Sequence, residues 1–305
     1  MHAVMGQKQV DLYLRGREGS TMKSYESSYR ALGVLCRKSG LSIFGLREAE
    51  RCQLWSEARE NGYTAAKVRG ISAVLALIHE VMGTTEVVSG REKTIKKGFM
   101  KESNLTAKRK KKREVGVWQD VNEIIAVAER SDKAKDWRTA VMATMCFFGC
   151  KRFGDVSKVK VEDVVMTRDR ITVFMRKSKT DELNEGASFT MEAGGRKFSI
   201  KKFLQHYIGK FGLLKKDALN SANLARGPKV VAVSYAVMYH SLESMKKELE
   251  LDPGLTWNSF RIGSATRGTK LGVRRSVIKG AGMWKSQCVL PRRRGRSFIE
   301  PRAFK

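Results

Sequence analysis

The stretch CFFGCKRFGDVSKVKVED, residues 146–163, decides how the rest of the chain is interpreted. It starts with apolar residues that are typical of a buried helix, and Gly149 predicts where that helix ends. Arg152 and Asp155 follow three residues apart, and valines then continue a hydrophobic spacing. An arginine just after a helix is most often a solvated surface residue, so Arg152 gains meaning only from other parts of the chain.

Three further motifs follow in order along the chain. The basic turn RKSKTD, at 176–181, comes after a segment that alternates like a strand. The motif WNSFRIGSAT, at 257–266, opens a predicted helix, and GMWKS, at 282–286, follows a helix that is punctuated by glycines. Each motif alone is weak, but four motifs in this order form a fairly specific pattern.

This ordered series resembles the tyrosine recombinases, or phage integrases, and most closely their eukaryotic mobile-element branch (DIRS-like and Crypton-like). In that family an arginine follows Gly-x with an acidic residue three positions later, and a lysine lies in a β-hairpin turn. A His-x-x-Arg box and a Gly-x-Trp or Gly-His box come next, and a tyrosine nucleophile follows roughly eight or nine residues on. The segment 20–83 also looks like the core-binding domain of the family.

The resemblance implies a mainly α fold with a small β-hairpin or sheet, made of a helical core-binding domain and a tyrosine-recombinase-like catalytic domain. We place the core-binding domain at 15–90, a basic linker at 91–116, and the catalytic domain with a degenerate basic tail at 117–305. Alternating segments predict strands at 170–176 and 187–191. Hydrophobic spacing and capping residues predict helices over 20–40, 46–59, 64–83, 117–128, 137–148, 200–210, 234–249, 258–271 and 276–281.

By resemblance, Arg152 is the first arginine of a phosphate clamp, Asp155 is the acidic residue that orients it, and Arg261 is the second arginine. The residue types suit this chemistry, because two planar guanidinium groups can hold the non-bridging oxygens of a phosphate bidentately. Preorganised cations also stabilise the charge that develops on a phosphodiester under attack. A clamp of arginines requires no metal, and we expect neither a metal nor a small-molecule cofactor.

Three other family positions carry over by the same resemblance. Lys179 matches the hairpin lysine that protonates the leaving 5′ oxygen, and Lys177 takes its place if the register is off by two. Trp284 occupies the third-box position, where a His or Trp hydrogen-bonds the scissile phosphate or packs beneath it. Asn258 stands where the family has a histidine. Asparagine cannot exchange a proton near neutral pH, which removes a general base that typically contributes about a hundredfold to ten-thousandfold.

The tyrosine nucleophile of the family is missing from its expected place. No tyrosine occurs after Tyr239, and the positions eight and nine beyond Trp284 are Arg292 and Arg293. The nucleophile is needed for the covalent 3′-phosphoryl link that stores bond energy during strand exchange. Tyr235 and Tyr239 lie before the second box in a predicted helix, where we expect them to pack in the core.

The charge balance identifies the class of partner. The chain holds 60 Lys and Arg against 31 Asp and Glu, a formal net charge of +29. Such an excess attracts polyanions, because neutralising phosphates releases their condensed counterions. We therefore expect nucleic acid as the partner. The resemblance to the tyrosine recombinases further implies double-stranded DNA, bound by a homo-oligomer of up to a tetramer.

Basic residues are concentrated in two segments that we expect to contact DNA, together with Lys177. The first is a run in the linker that also resembles a nuclear-import patch: Lys108, Arg109, Lys110, Lys111, Lys112 and Arg113. The second lies in the tail: Arg292, Arg293 and Arg294. A solvated flexible linker is the plainer interpretation of the first run. The expected location is the nucleus in a eukaryote and the cytoplasm otherwise.

Membrane and disulfide classes are disfavoured by the sequence. No run of about 18 apolar residues predicts a membrane span, and the amino terminus lacks the apolar region of a signal peptide. Five cysteines without a Cys-x-x-Cys pair are typical of a reducing compartment. Cys146 and Cys150 are expected to be buried core residues rather than zinc ligands.

Three functions remain open from the sequence. The first is a DNA-binding member of the family whose cleavage activity is lost or weakened. The second is an active site-specific recombinase with an altered or truncated carboxyl terminus, and the third is a generic basic RNA- or nucleoprotein-binding protein. The first two require Arg152, Lys179, Arg261 and Trp284 to converge around one phosphate-sized pocket.

Overall fold

The structure of the chain, a computed structural model, describes residues 8, 10, 19–84, 88–106, 115–176, 185–194, 198–221 and 232–284. The chain divides into two compact units, Met1–Lys110 and Lys111–Lys305. Each unit has a hydrophobic core of its own. The division between them falls inside the segment that the sequence predicts to be a linker.

The described part of the first unit is a bundle of helices: α1 Gly19–Lys38, α2 Glu48–Glu60, α3 Ala65–Val81 and α4 Gly90–Thr106. The first three confirm predicted helices. Helix α3 begins after Thr64, whose hydroxyl accepts a hydrogen bond from the backbone N–H of Lys67, as a capping threonine does. Helix α1 packs on α3, and α2 packs on α4. Their buried apolar positions recur three or four residues apart, as in Leu32 and Leu35 of α1.

Helix α4 shows that the predicted start of the linker at Arg91 was wrong. Residues 90–106 form a helix that packs on α2 within the first unit. Phe99 is buried in the core of this unit, and the fully buried Glu92 accepts hydrogen bonds from α2. Lysines dominate the exposed faces of α4 and conceal its buried positions in the sequence. The rest of the predicted linker, apart from Val115 and Gly116, lies outside the described residues.

The second unit contains more helices and a small sheet. Its described helices are α5 Trp118–Arg130, α6 Ala134–Phe148, α7 Phe153–Val156, α8 Ile200–Lys210, α9 Tyr235–Glu248, α10 Trp257–Lys270 and α11 Arg275–Ala281. Its described strands are β1 Val164–Met166, β2 Arg170–Met175 and β3 Ala187–Glu192. The predicted helices and both predicted strands are confirmed here. The short elements α7 and β1 were not predicted, because three or four residues are too few to show a period.

The sheet is antiparallel with strand order β1-β2-β3. Ile171 of β2 pairs with Met191 of β3, and Val173 pairs with Phe189. These four side chains are buried, while their neighbours along each strand are more exposed. This alternation is what a half-buried strand requires, and it explains why β2 and β3 could be predicted.

Helix α6 forms the centre of the second unit. It is buried along almost its whole length and packs against α5, α9 and α10. Trp137 of α6 stacks on Phe203 of α8, with 5.4 Å between the ring centroids. The architecture is therefore mainly α with a small sheet, which confirms the predicted fold class. None of the described helices has the length and apolarity needed to cross a bilayer.

Candidate phosphate-binding site

The turn between α6 and α7 carries the first of the two candidate arginines. Cys150 has a φ of 54°, in the left-handed region, and this conformation redirects the chain after α6 ends. In Arg152, which directly precedes α7, Nη1 lies 3.8 Å from Oδ2 of Asp155. The Asp155 side chain is buried, whereas 32% of the Arg152 side chain is exposed. The carboxylate therefore faces one part of the arginine while another part stays accessible.

The second candidate arginine lies on α10 and is buried. Only 3% of Arg261 is exposed, and its Nη2 donates a hydrogen bond to the backbone oxygen of Gly282. Its guanidinium carbon lies 4.4 Å from the centroid of the Trp284 ring, within the range of a cation–π interaction. Burial, followed by the positive charge of Arg152, lowers the pKa of Arg261 to about 10. Arg261 is thus still a cation at neutral pH.

Helix α10 is seated by a very close backbone contact. The N–H of Gly116 donates a hydrogen bond to the oxygen of Ser259, at 3.0 Å. A Cβ atom at Gly263 would lie 1.6 Å from the backbone oxygen of Gly116. Only glycine fits at position 263, and this approach fixes the part of α10 that holds Arg261.

The third box packs beside Arg261. Trp284 lies half-buried against a small cluster made of Cys150, Ala265 and Ile278. A Cβ atom at Gly282 would meet the Trp284 ring at 2.1 Å, so the indole covers this glycine directly. The short Gly-x-Trp spacing therefore has a steric reason, because any side chain at Gly282 would push the ring away.

The three described boxes meet at one place in the second unit. The charges of Arg152 and Asp155 both act on the pKa of Arg261, and Trp284 stacks on its guanidinium group. Among the described residues, Nη1 of Arg152 and Nε of Arg261 are buried without a hydrogen-bond partner. A buried donor without a partner costs about 1–3 kcal/mol. The cluster is therefore short of acceptors, which a bound anion would supply.

The chain was compared with known proteins. No protein-family model and no curated protein sequence matches it. A lambda integrase dimer bound to a COC′ core site matches with 17% identity over 96% of this chain and 78% of the other, with a TM-score of 0.58. A lambda integrase tetramer bound to a Holliday junction matches with 16% identity over 92% and 76%, with a TM-score of 0.56. The XerH site-specific recombinase bound to its difH substrate matches with 14% identity over 80% of this chain and 66% of its own, with a TM-score of 0.55.

The chain has the tyrosine-recombinase fold. The fold that the ordered motifs imply is thereby confirmed. The chain spans about two thirds of the length of the XerH chain and more of the lambda integrase chains.

Within the tyrosine-recombinase fold, Asn258 lies on α10 one helical turn before Arg261. This spacing places both side chains on the same side of the helix. Trp257 beside it packs on Phe153, with 4.9 Å between the ring centroids, and Phe153 follows Arg152 directly. Asn258 is half-buried, and no hydrogen bond or ion pair in the described part of the chain joins it to either arginine. Its place on the helix suits the second-box position.

The other predicted site residues lie outside the described residues. These are the hairpin lysines Lys177 and Lys179, the run Lys108, Arg109, Lys110, Lys111, Lys112 and Arg113, and the tail residues Arg292, Arg293 and Arg294. The convergence of the boxes can therefore be stated for Arg152, Arg261 and Trp284, with Asp155 beside them. That the hairpin lysine joins this site stays a prediction.

The prediction that Tyr235 and Tyr239 pack in the core was wrong. Their exposed fractions are 59% and 41%, because the core-facing side of α9 is taken by Met238, Leu242 and Met245. The Tyr235 ring contacts Phe153 edge-on at 5.4 Å. In contrast, Cys146 and Cys150 are buried as predicted. No cluster of potential metal ligands occurs among the described residues.

Sequence reasoning missed one buried cation at this site. Lys151 is only 2% exposed, and its Nζ donates a hydrogen bond of 2.7 Å to the backbone oxygen of Ala281. Burial, with a smaller contribution from Arg261 and Arg152, lowers the pKa of Lys151 to about 8. The sequence does contain one indication that Lys151 belongs to the site, since this lysine directly precedes Arg152. The sequence alone, however, could not show that its side chain points inward.

Proposed function

We propose that this chain is a double-stranded-DNA-binding protein that acts in DNA recombination or integration. Its Arg152 and Arg261 hold a backbone phosphate, and its own strand cleavage is lost or strongly weakened. By its motifs it belongs to a mobile element of the DIRS-like or Crypton-like branch. The observation that carries the proposal is the cluster of boxes in the second unit, where two guanidinium nitrogens lack acceptors.

The charges of the cluster favour an anionic ligand. In the described part of the chain, Lys151, Arg152 and Arg261 face the single carboxylate of Asp155. Burying cations without matching counter-charge is costly, and the lowered pKa values of Lys151 and Arg261 reflect that cost. A phosphodiester supplies both the missing charge and oxygen acceptors that suit a guanidinium fork.

Duplex DNA is the polyanion that best fits this site and the rest of the chain. The lambda integrase and XerH proteins with the same fold were solved on DNA core sites, a Holliday junction and a difH substrate. The net charge of +29 adds a long-range attraction for any nucleic acid. A generic RNA-binding protein would share that attraction, but its function would not require Arg152 and Arg261 to converge on one phosphate.

Binding of a mixed-sequence duplex by fluorescence anisotropy over a range of salt tests this part of the proposal. We expect log affinity to fall steeply with log salt. Arg152→Gln should bind about tenfold more weakly than the wild type, because it loses a charge-assisted contact. Arg168→Gln, which removes an equal charge from an exposed position, is the matched control. Equal losses in both variants, or equal affinity for duplex RNA, would favour the generic basic protein.

The cleavage proposal rests on two features of the sequence. Asn258 cannot serve as the general base, and Arg292 and Arg293 stand where the nucleophilic tyrosine is expected. We expect no covalent adduct with a nicked or phosphorothiolate-containing duplex, as judged by denaturing gel electrophoresis. A DNA-linked protein band would overturn this part and support the alternative of an active recombinase.

Two finer points belong to the same proposal. The chain assembles on DNA as a homo-oligomer of up to four subunits, as the lambda integrase dimer and tetramer on DNA suggest. The basic run Lys108 to Arg113 contacts the DNA backbone and directs nuclear import in a eukaryotic host. Neutralising this run should weaken binding to all DNA sequences about equally, and a loss confined to one sequence would show base reading instead.

A further inference from the structure

Lys151 ties the first box to the end of α11. Its ammonium donates a hydrogen bond to the oxygen of Ala281, and the guanidinium of Arg261 donates to the oxygen of the next residue, Gly282. Two buried cations from different segments thus hold adjacent carbonyls at the end of one helix. Helix carboxyl ends carry partial negative charge, so both contacts are favourable. This arrangement positions the segment that leads to Trp284.

The surroundings of Lys151 come from four elements. The turn before α7 places Cys150 and Arg152 beside it, and α7 contributes Asp155. Helix α10 contributes Arg261, α11 the Ala281 carbonyl, and β3 the ring of Phe189, whose centroid lies 5.1 Å from Nζ. Among these described groups, two permanent cations oppose the charge of Lys151, and one carboxylate supports it. Cys150 is neutral near pH 8, because burial raises the pKa of its thiol.

We propose that Lys151 is a third cation of the phosphate site, a positioning residue that takes up a proton when DNA binds. The inference rests on the proposed function, because a DNA phosphate is the anion that brings the missing negative charge. A phosphate held by Arg152 and Arg261 offsets their repulsion of the ammonium. The protonated Lys151 then holds the α11 carboxyl end firmly, and with it the position of Trp284 over Arg261.

The coupling predicts a definite pH dependence. In the free protein the pKa of Lys151 is about 8, so the side chain is partly neutral in mildly alkaline solution. A bound phosphate raises the pKa, because a nearby opposite charge favours the charged form. By linkage, DNA affinity is then constant below this pH, and it falls by up to about tenfold per pH unit until the pH reaches the raised pKa of the complex.

The wild-type chain, two variants at Lys151 and one control variant test the inference. Lys151→Arg keeps a permanent charge and a donor, Lys151→Met removes both but keeps the stem, and Lys158→Met removes an exposed lysine seven residues later in the chain. Anisotropy with a mixed-sequence duplex is measured between about pH 7 and pH 9.5. The salt concentration is one at which Arg152→Gln binds more weakly than the wild type, so that the phosphate site is engaged.

We expect the affinity of the wild type and of Lys158→Met to fall above about pH 8, and that of Lys151→Arg to stay high and flat. Lys151→Met should bind weakly at every pH, also with a flat profile. Rescue by arginine with loss of the pH dependence is a result that a purely structural lysine would not produce.

Two outcomes would overturn the inference, and they are distinguishable. If the wild type and Lys151→Arg show the same pH profile, Lys151 does not change protonation on binding, while the proposed function stands. If Arg152→Gln binds as tightly as the wild type at every salt concentration, the phosphate site is unused, and the proposed function fails together with the inference.

Discussion

The two units of the chain bury charge in opposite ways. In the first unit, Glu92 is fully buried and accepts hydrogen bonds from Arg51 Nε at 2.9 Å and Trp55 Nε1 at 3.1 Å. Lys96 forms an ion pair with the same carboxylate at 3.1 Å. In the second unit, Lys151, Arg152 and Arg261 gather around Asp155, and in this cluster Nη1 of Arg152 and Nε of Arg261 have no hydrogen-bond acceptor among the described residues.

The difference separates a structural cluster from the proposed phosphate-binding site. The carboxylate of Glu92 is surrounded by donors, so this cluster needs no further ligand and holds α4 on α2. The cluster around Arg261 has more cations than the described acceptors can satisfy. Buried charge is stable only when it is paired and hydrogen-bonded, so the second arrangement is expected where a ligand completes the set.

The largest effect on stability is expected from breaking the cluster around Glu92. Glu92→Gln removes the carboxylate charge that faces the buried Arg51, and it should lower the free energy of unfolding of the first unit by about 3–5 kcal/mol. Urea unfolding followed by the fluorescence of Trp55, which contacts Glu92, measures this change. Glu102→Gln, which removes a partner from the exposed pair with Arg59, should cost less than about 1 kcal/mol. Similar costs for both variants would contradict the proposed difference between buried and exposed pairs.

A smaller effect on the free energy of unfolding is expected when pH is varied, and the pH range in which it occurs differs between the clusters. Burial acts to raise the pKa of Glu92, but hydrogen bonds from Arg51, Lys96 and Trp55 outweigh it, so the pKa is lowered. The stabilisation from Glu92 is therefore present above the usual carboxyl pKa and is lost as pH falls through the lowered value.

The second cluster should respond to alkaline pH. Burial lowers the pKa of Lys151 from 10.5 to about 8, so between these values the folded state binds fewer protons than the unfolded state. Stability then rises with pH in this window. Urea unfolding should show the wild type gaining of order 2–3 kcal/mol relative to Lys151→Met as pH rises from about 8 to 10.5. Parallel stability profiles of the two proteins would refute the prediction.

The smallest effect is expected from a simple anion. Inorganic phosphate at several times its dissociation constant should stabilise the second unit by about 1 kcal/mol, because it binds only the folded site. Hydrogen–deuterium exchange can assign this protection to α10 and to the turn at Arg152. Arg152→Gln should show no such gain, and potassium chloride of equal ionic strength serves as the salt control. Equal protection of α4 would mean that the anion acts non-specifically.

The sequence was sufficient for the fold because the decisive features are local or ordered along the chain. The Thr64 cap and the apolar spacing of α1 and α3 mark helices through contacts within a few residues. Strands β2 and β3 show the alternation of a half-buried sheet. The order of the four motifs then pointed to the tyrosine-recombinase fold, although no single motif did.

Prediction failed where burial depends on the partner surface. The sequence predicts a linker where helix α4 lies, because its buried Glu92 and Phe99 are concealed among lysines and the partners of Glu92 lie on α2. The sequence also predicts that Tyr235 and Tyr239 pack in the core, yet Met238 and Leu242 already fill the inward side of α9. Only the packing of one element on another determines which side faces inward.

The sequence alone determined the excess of positive charge and the positions of most helices. It also determined the four ordered motifs, the asparagine at 258 and the lack of a tyrosine after Tyr239 in the given sequence. The tertiary structure alone decided that Arg152, Arg261 and Trp284 meet, that Lys151 points inward, and that donors there lack acceptors. The physical reason is that charge and helix propensity are properties of single residues and near neighbours. Burial and its electrostatic cost arise only when segments far apart in the chain exclude water from the same place.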